Sequence, residues 1–146
     1  MMKSVDIIAL AKSFRDTWKT NDPYKIAERL GIEVLFRDIS MKGFTAQTVK
    51  IPGYPTIISI NNAYNEKSKR ILCAHELGHA LLHEECVNHF AITSKNVTKE
   101  VERDANLFAV ALLLDENEER QLNVSLCNMS NYLLKSILEY NIDDLV

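Results

Sequence analysis

The sequence lacks the features that would divide the chain or mark it for nucleic acid. No internal repeat, low-complexity segment or linker interrupts its 146 residues, so we expect one globular domain over residues 1–146. Basic side chains are not in excess, since 17 lysines and arginines face 20 acidic residues and the formal net charge is -3. Direct binding to nucleic acid is therefore not expected, and any link with DNA would be indirect.

Cysteine is scarce and long apolar runs are absent. The three cysteines, Cys73, Cys86 and Cys127, are odd in number and form no CxxC pair, which indicates a reducing compartment rather than a disulfide framework. The N-terminal segment meets charge after a short apolar stretch, so it is predicted to be neither a signal peptide nor a membrane span. These absences predict a cytoplasmic protein without a membrane partner.

The spacing of apolar residues predicts helices in both halves of the chain and strands between them. Helical spacing occurs in residues 4–18, 23–30, 65–85, 99–112 and 132–138. Runs typical of strands occur at 32–37, 43–49 and 56–60. Because Pro52, Gly53 and Pro55 break the chain between the last two runs, we expect neighbouring strands to pair through turns. The sequence predicts an α+β fold with a small antiparallel sheet of about three strands packed with helices.

The histidines are concentrated in one short segment. All four, His75, His79, His83 and His89, fall within fifteen residues. Residues 75–79 read HExxH on a predicted helix, where a step of four residues places both imidazoles on one face and lets them bind a single Zn²⁺ ion. Glu76 lies beside that face and can take a proton from the metal's water and pass it to a leaving amine. The sequence therefore predicts a zinc site with Glu76 as the catalytic base.

Catalytic zinc requires a third protein ligand. A histidine six residues after the second is one solution, but that position is Glu85 and no glycine turn precedes it. Glu102, in the next predicted helix, is the better candidate, and Asn106 on the same face can orient a ligand or the backbone behind it. The alternative is that Glu102 is an acid in a first helical turn, where acids are favoured. Asp104 is expected near the opposite side, and Arg103 is expected to be solvated rather than catalytic.

The group that would stabilise the oxyanion is left open by the sequence. Tyr54, Tyr64, His83 and His89 are the candidates, and the pattern selects none of them. His83 drifts off the face of the two metal-binding histidines, so it is expected to support a ligand or to lie at the surface rather than to serve as a fourth ligand.

Three spaced segments together resemble a known family. They are ISIN at residues 58–61, RILCAHELGHALLH at 70–83 and ERDANLFA at 102–109, followed by LLL at 112–114. In this combination the sequence resembles the ImmA/IrrE metallopeptidases of bacteria and mobile elements, from about Gly43 to Leu114 and more loosely into the last helix. Two departures are visible: Leu114 and Asp115 replace the family's usual Met-Pro, and Cys73 replaces a common threonine. Neither departure touches a proposed ligand.

The resemblance implies a gluzincin-like zinc endopeptidase with a zincin-like HExxH helix and Glu102 as the third ligand. Characterised members of that family cleave helix-turn-helix repressors encoded beside them. The resemblance thus implies a protein substrate of this kind and relief of repression in a mobile element, a prophage or stress genes. It also suggests that Ile58, Ser59 and Ile60 form an exposed edge that binds substrate by strand addition, an ordinary core strand being the alternative.

Two other functional classes remain open from the sequence. A zinc-stabilised binding module could dock a regulatory protein without cutting it, and a zinc amidase could act on a small substrate. Glu76 separates the first from a peptidase, because a structural zinc site is usually closed by four ligands and does not need a carboxylate beside the metal.

Overall fold

The computed structural model describes residues 2–38, 44–83 and 99–142. Within these ranges the chain forms six α-helices, three β-strands and a short 3-10 helix. In chain order they are α1 (Ser4–Trp18), α2 (Pro23–Arg29), β1 (Glu33–Arg37), β2 (Ala46–Val49), β3 (Ile57–Asn61), α3 (Glu66–Leu82), α4 (Lys99–Leu113), α5 (Glu116–Arg120), the 3-10 helix (Leu126–Asn128) and α6 (Asn131–Ile142). The predicted α+β class, with a small three-stranded sheet, is confirmed.

Side-chain caps explain where several helices begin. The Asp22 carboxylate accepts a hydrogen bond from the backbone N–H of Tyr24 at 3.0 Å, and Pro23 occupies the first turn of α2. The Asn65 side chain accepts one from the N–H of Ser68 at 2.8 Å at the start of α3. Each cap satisfies a backbone donor that the first helical turn leaves without a partner. The start of α3 is thus fixed ten residues before the HExxH segment.

The sheet is mixed rather than wholly antiparallel. Its order is β1-β3-β2, with β2 antiparallel and β1 parallel to β3. The expected hairpin exists between β2 and β3, where Gly53 adopts a φ of 86° in the turn. β1, however, does not pair with its chain neighbour. The chain crosses from β1 to the far edge of the sheet and returns along its centre, which turn signals alone do not reveal.

The position of β3 also corrects the expected substrate edge. Residues Ile58, Ser59 and Ile60 lie in the central strand, whose backbone pairs with β1 on one side and with β2 on the other. The side chains of Ile58 and Ile60 are fully buried, and that of Ser59 is nearly so. The prediction that residues 58–60 form an exposed edge for strand addition is therefore wrong. The alternative, an ordinary core strand, agrees with the structure. Among the described residues, the edges of the sheet are β1 and β2.

Helix α3 lies at the centre of the molecule. It packs on the sheet and on α4, while α1 and α6 cover α4. Leu77 of α3 and Leu107 and Phe108 of α4 are fully buried where these layers meet. Burying the apolar faces of two helices and a sheet in one core is the general way in which such layered domains are stabilised. No helix in the described ranges is long and apolar enough to cross a membrane.

Gly78 allows α3 and α4 to approach closely. A Cβ atom at this position would lie 3.1 Å from the Cα and carbonyl oxygen of Ala105 and 3.2 Å from the Cβ of Phe108. Because the contacted atoms of Ala105 belong to the backbone of α4, such a contact would have to push the two helices apart. The glycine therefore sets the spacing between α3 and α4.

Replacing Gly78 by valine is expected to lower the free energy of unfolding by about 1–3 kcal/mol, the usual cost of overpacking a core. Urea unfolding of the metal-free protein measures this change. Ala9→Val is the matched control, because Ala9 is exposed in α1 and a valine there has only the cost of its helix propensity. Equal stability losses in the two variants would contradict the close approach of the helices.

Candidate metal centre

The HExxH residues and Glu102 come together between α3 and α4. The potential ligand atoms of His75, Glu76 and His79 all lie within 4.8 Å of one another. The Glu102 carboxylate reaches across from α4, with Oε1 3.6 Å from His75 Nε2 and Oε2 2.6 Å from His79 Nε2. The four residues that the sequence singled out for the metal and the base thus form one cluster.

The cluster is buried on one side and open on the other. The side chains of His75, Glu76 and His79 are 15%, 10% and 10% exposed, whereas that of Glu102 is 40% exposed. Low exposure of the histidines strengthens electrostatic interactions at the cluster. The exposure of Glu102 leaves a route by which water or a substrate can reach it.

Both histidines of the cluster point Nε2 at Glu102 and have their other ring nitrogen engaged by a neighbour. His75 Nδ1 lies 2.7 Å from Asn106 Oδ1, and the Asn106 amide nitrogen donates to Asn131 Oδ1 at 2.8 Å. A side-chain oxygen can only accept, so this contact places a proton of His75 on Nδ1 and turns Nε2 toward Glu102. This is the arrangement that metal-binding histidines commonly show. The expectation that Asn106 lies behind a ligand agrees with this geometry.

His83 lies behind His79, and Asp104 lies behind His83. The Nδ1 atoms of His79 and His83 are 3.4 Å apart, and His83 Nε2 is 3.4 Å from Asp104 Oδ2. Asp104, which the sequence placed near the side of α4 opposite Glu102, is buried, with only 5% of the residue exposed. Helix α4 is covered by α1, α3 and α6, so it has little solvent-facing side for this residue to occupy.

Arg103 is likewise held by the protein. Its guanidinium donates to the carbonyls of Met129 and Cys127 at 3.1 and 3.2 Å and to the hydroxyl of Ser4 at 2.8 Å. The side chain, expected to be solvated rather than catalytic, is thus bound mainly by the protein. These bonds tie α4 to the start of α1 and to the segment that precedes α6.

Thr48 on β2 holds the proposed base. Its hydroxyl Oγ1 lies 2.7 Å from Glu76 Oε1 and 3.1 Å from the backbone carbonyl of Glu76. The other carboxylate oxygen, Oε2, is 4.0 Å from His75 Nε2. One oxygen of Glu76 is thus fixed by the sheet while the other faces the histidine cluster. No sequence signal connects the two residues, since they are 28 positions apart and belong to different elements.

The electrostatics of the cluster favour an ionised Glu102. Burial opposes its ionisation, but hydrogen bonds from His75 and His79 outweigh burial and hold the pKa of the carboxyl well below its usual range. For His75, burial lowers the pKa, and the contacts with Glu102 and Glu76 raise it above its usual value. For His83, burial has the larger effect and lowers the pKa, although Asp104 acts to raise it. The ring is therefore held in its neutral form.

This donor set fits a divalent metal ion. It offers two imidazole nitrogens and the Glu102 carboxylate, each a donor type that zinc accepts. The second carboxylate nearby, that of Glu76, is hydrogen-bonded by Thr48. Cys73 is the nearby thiol on α3, but it is fully buried and burial raises its pKa, which keeps it a thiol.

The other predicted helpers stand apart from the cluster. Tyr54 is 71% exposed in the turn between β2 and β3, and Tyr64 packs against the hydrophobic core. In the part of the chain that the structure describes, neither hydroxyl is tied to the four clustered residues, so their roles stay predictions. His89 lies outside the described residues.

Comparison with known proteins places these residues in a family. The family model Peptidase_M78, described as the IrrE N-terminal-like domain, matches residues 27–132. The chain is also 35% identical over 103 residues to "Uncharacterized immunity region protein 2" of Bacillus phage phi105, an alignment that covers 68% of this chain and 62% of that protein. The chain thus spans less than two thirds of the length of this relative. No solved structure gives a significant match. The matched segment includes the HExxH helix and Glu102, and the chain belongs to the M78 peptidase family of IrrE N-terminal-like domains.

Proposed function

We propose that this protein is a zinc-dependent endopeptidase in which His75, His79 and Glu102 bind one Zn²⁺ ion and Glu76 is the catalytic base. The observation that carries the proposal is the convergence of two histidine Nε2 atoms on the Glu102 carboxylate, next to a second carboxylate that Thr48 holds. Membership in a metallopeptidase family supports it independently. A closed structural site would use a fourth ligand rather than a free base.

The protein's own residues account for the proton transfers. Bound zinc would supply a Lewis acid that polarises the scissile carbonyl and makes water acidic. Glu76 Oε1 is fixed by the Thr48 hydroxyl, so Oε2 is the oxygen available to take a proton from the attacking water and return it to the leaving amine. Glu102 and the two histidines keep their geometry because their helices are packed in the core.

Strand β2 is the element that we propose for holding an extended substrate. The N–H of Asn61 donates to the carbonyl of Thr45 at 2.9 Å, and the register continues through Gln47 and Val49. Because hydrogen-bonded pairs alternate in an antiparallel ladder, the backbone groups of Ala46 and Thr48 point away from β3. A peptide that pairs with them would lie along β2, beside the residue that holds Glu76.

The substrate that we propose is a separately encoded helix-turn-helix repressor, cleaved in the cytoplasm to relieve repression of a mobile element, a prophage or stress genes. Two points support this class. The ImmA/IrrE resemblance implies such substrates, and the phage relative is named as an immunity region protein. The formal net charge of -3 agrees with action on a DNA-binding protein rather than on DNA itself.

The test is incubation of the zinc-loaded protein with the repressor encoded beside its gene, followed by mass spectrometry of the products. We expect one or a few defined cuts, loss of cleavage after metal removal by a chelator, and recovery when zinc is added back. An unrelated helix-turn-helix protein serves as the control for specificity. A stable complex that holds zinc and never cuts would favour the binding module over the peptidase.

A further inference from the structure

We propose that His83 and Asp104 are positioning residues that hold His79 in the ring orientation and tautomer needed to bind metal. We call the three side chains His79, His83 and Asp104 the relay. The inference rests on the proposed metal site, because it concerns how that site is supported. It assigns a specific role to two residues that neither bind the metal nor touch the substrate.

The relay has one consistent arrangement of protons. If Nε2 of His79 is left free for the metal, its proton lies on Nδ1, which is 3.4 Å from Nδ1 of His83. His83 must then accept at Nδ1 and carry its own proton on Nε2, 3.4 Å from the Asp104 carboxylate. The carboxylate can only accept, so it fixes the tautomer of His83, and His83 fixes that of His79.

Burial strengthens the hydrogen bonds of the relay. His79, His83 and Asp104 are 8%, 7% and 5% exposed. Hydrogen-bonding groups that are removed from water and fully paired are directional and costly to disturb. Arg103, which is tied to the backbone of Met129 and Cys127, approaches the other carboxylate oxygen of Asp104 at 4.0 Å. The far end of the relay is thus anchored to the protein.

The two histidines of the site are supported in different ways. His75 is backed by two neutral amides, Asn106 and Asn131, whereas the relay ends in a carboxylate. A carboxylate behind a ligand raises the basicity of the imidazole and strengthens its bond to a cation. We therefore expect His83 and Asp104 to increase zinc affinity although neither binds the metal.

Three variants test the relay. His83→Phe removes both hydrogen bonds and keeps a planar ring. His83→Gln keeps one acceptor and one donor group on the same side chain. The double variant His83→Phe with Asp104→Leu removes both polar partners, so no buried charge is left unpaired. Zinc affinity is measured by competition with a chelator, and the stability of the metal-free protein is measured by urea unfolding.

We expect His83→Phe to raise the dissociation constant for zinc roughly 10- to 100-fold, as loss of such outer partners usually does. His83→Gln should retain most of the affinity. The double variant should recover stability without recovering zinc affinity, which a merely structural pair would not produce.

Wild-type affinity in His83→Phe or in the double variant would overturn the relay while leaving the metal site intact. A wild-type protein that binds no zinc would overturn the relay and the proposed metal site together. The two failures are therefore distinguishable.

Discussion

Replacing Glu76 by glutamine is expected to leave about one zinc ion per chain and to slow peptide cleavage by roughly 10²- to 10⁴-fold, the usual contribution of a general acid–base group. Glutamine has nearly the same shape, and its side-chain oxygen can still accept the bond that Thr48 donates to Glu76 Oε1. It cannot take a proton from water. The chemical step is therefore slowed while the fold and the proposed metal ligands are preserved.

The measurement pairs zinc content with the rate of repressor cleavage. Glu66→Gln is the matched control, since Glu66 lies at the start of the same helix with an 80% exposed side chain, and its ion pair with Lys69 is 3.5 Å long. It should keep both zinc and activity. If Glu76→Gln cuts at the wild-type rate, Glu76 is not the base. If cleavage slows and zinc is lost as well, the residue acts on the metal site itself.

Most of the fold's elements could be predicted because their signals are local. Apolar spacing located the helices, and the cap at Asp22 and the stop at Gly31, with a φ of 75°, are features of a few adjacent residues. The order of the strands was not predictable in this way. Pairing of β1 with β3 joins residues about twenty-four positions apart, such as Val34 and Ile58, and no turn motif records it.

The same division holds for the candidate site. His75, Glu76 and His79 are linked by helical spacing within five residues, and Glu102 and Asn106 by spacing within α4, so both halves were predictable. The two halves are joined by tertiary contacts, which the sequence does not reveal. Thr48 reaches Glu76 from a strand, Asp104 reaches His83 from another helix, and Asn131 reaches Asn106 from α6.

Asp104 illustrates what helical position alone leaves open. Spacing places it away from Glu102 on α4, and an acid on that side is normally solvated. Spacing does not say whether that side is exposed, and ten of the fifteen residues of α4 are buried. Once a helix is covered on several sides, a carboxylate on any of them must have a partner. His83 and Arg103 provide that partner.

Replacing Glu102 by glutamine is expected to weaken zinc binding by more than roughly 100-fold, because removing a charged ligand should exceed the 10- to 100-fold cost of removing an outer partner. The Glu102 carboxylate is the only link from α4 to both Nε2 atoms in the described cluster, at 3.6 Å from His75 and 2.6 Å from His79. A neutral amide retains the shape but not the negative charge that a divalent cation requires. Zinc affinity by chelator competition measures the change.

Glu100→Gln is the control that separates a ligand from an acid placed in a first helical turn. Glu100 is exposed, lies in the same turn of α4 and should contribute only to the helix dipole, on the order of 0.3–1 kcal/mol. If Glu102 had no other role, the two variants would bind zinc equally well and lose similar small amounts of stability. A large loss of zinc in Glu102→Gln alone requires that the carboxylate binds the metal, since helix, turn, charge and substitution are the same in both.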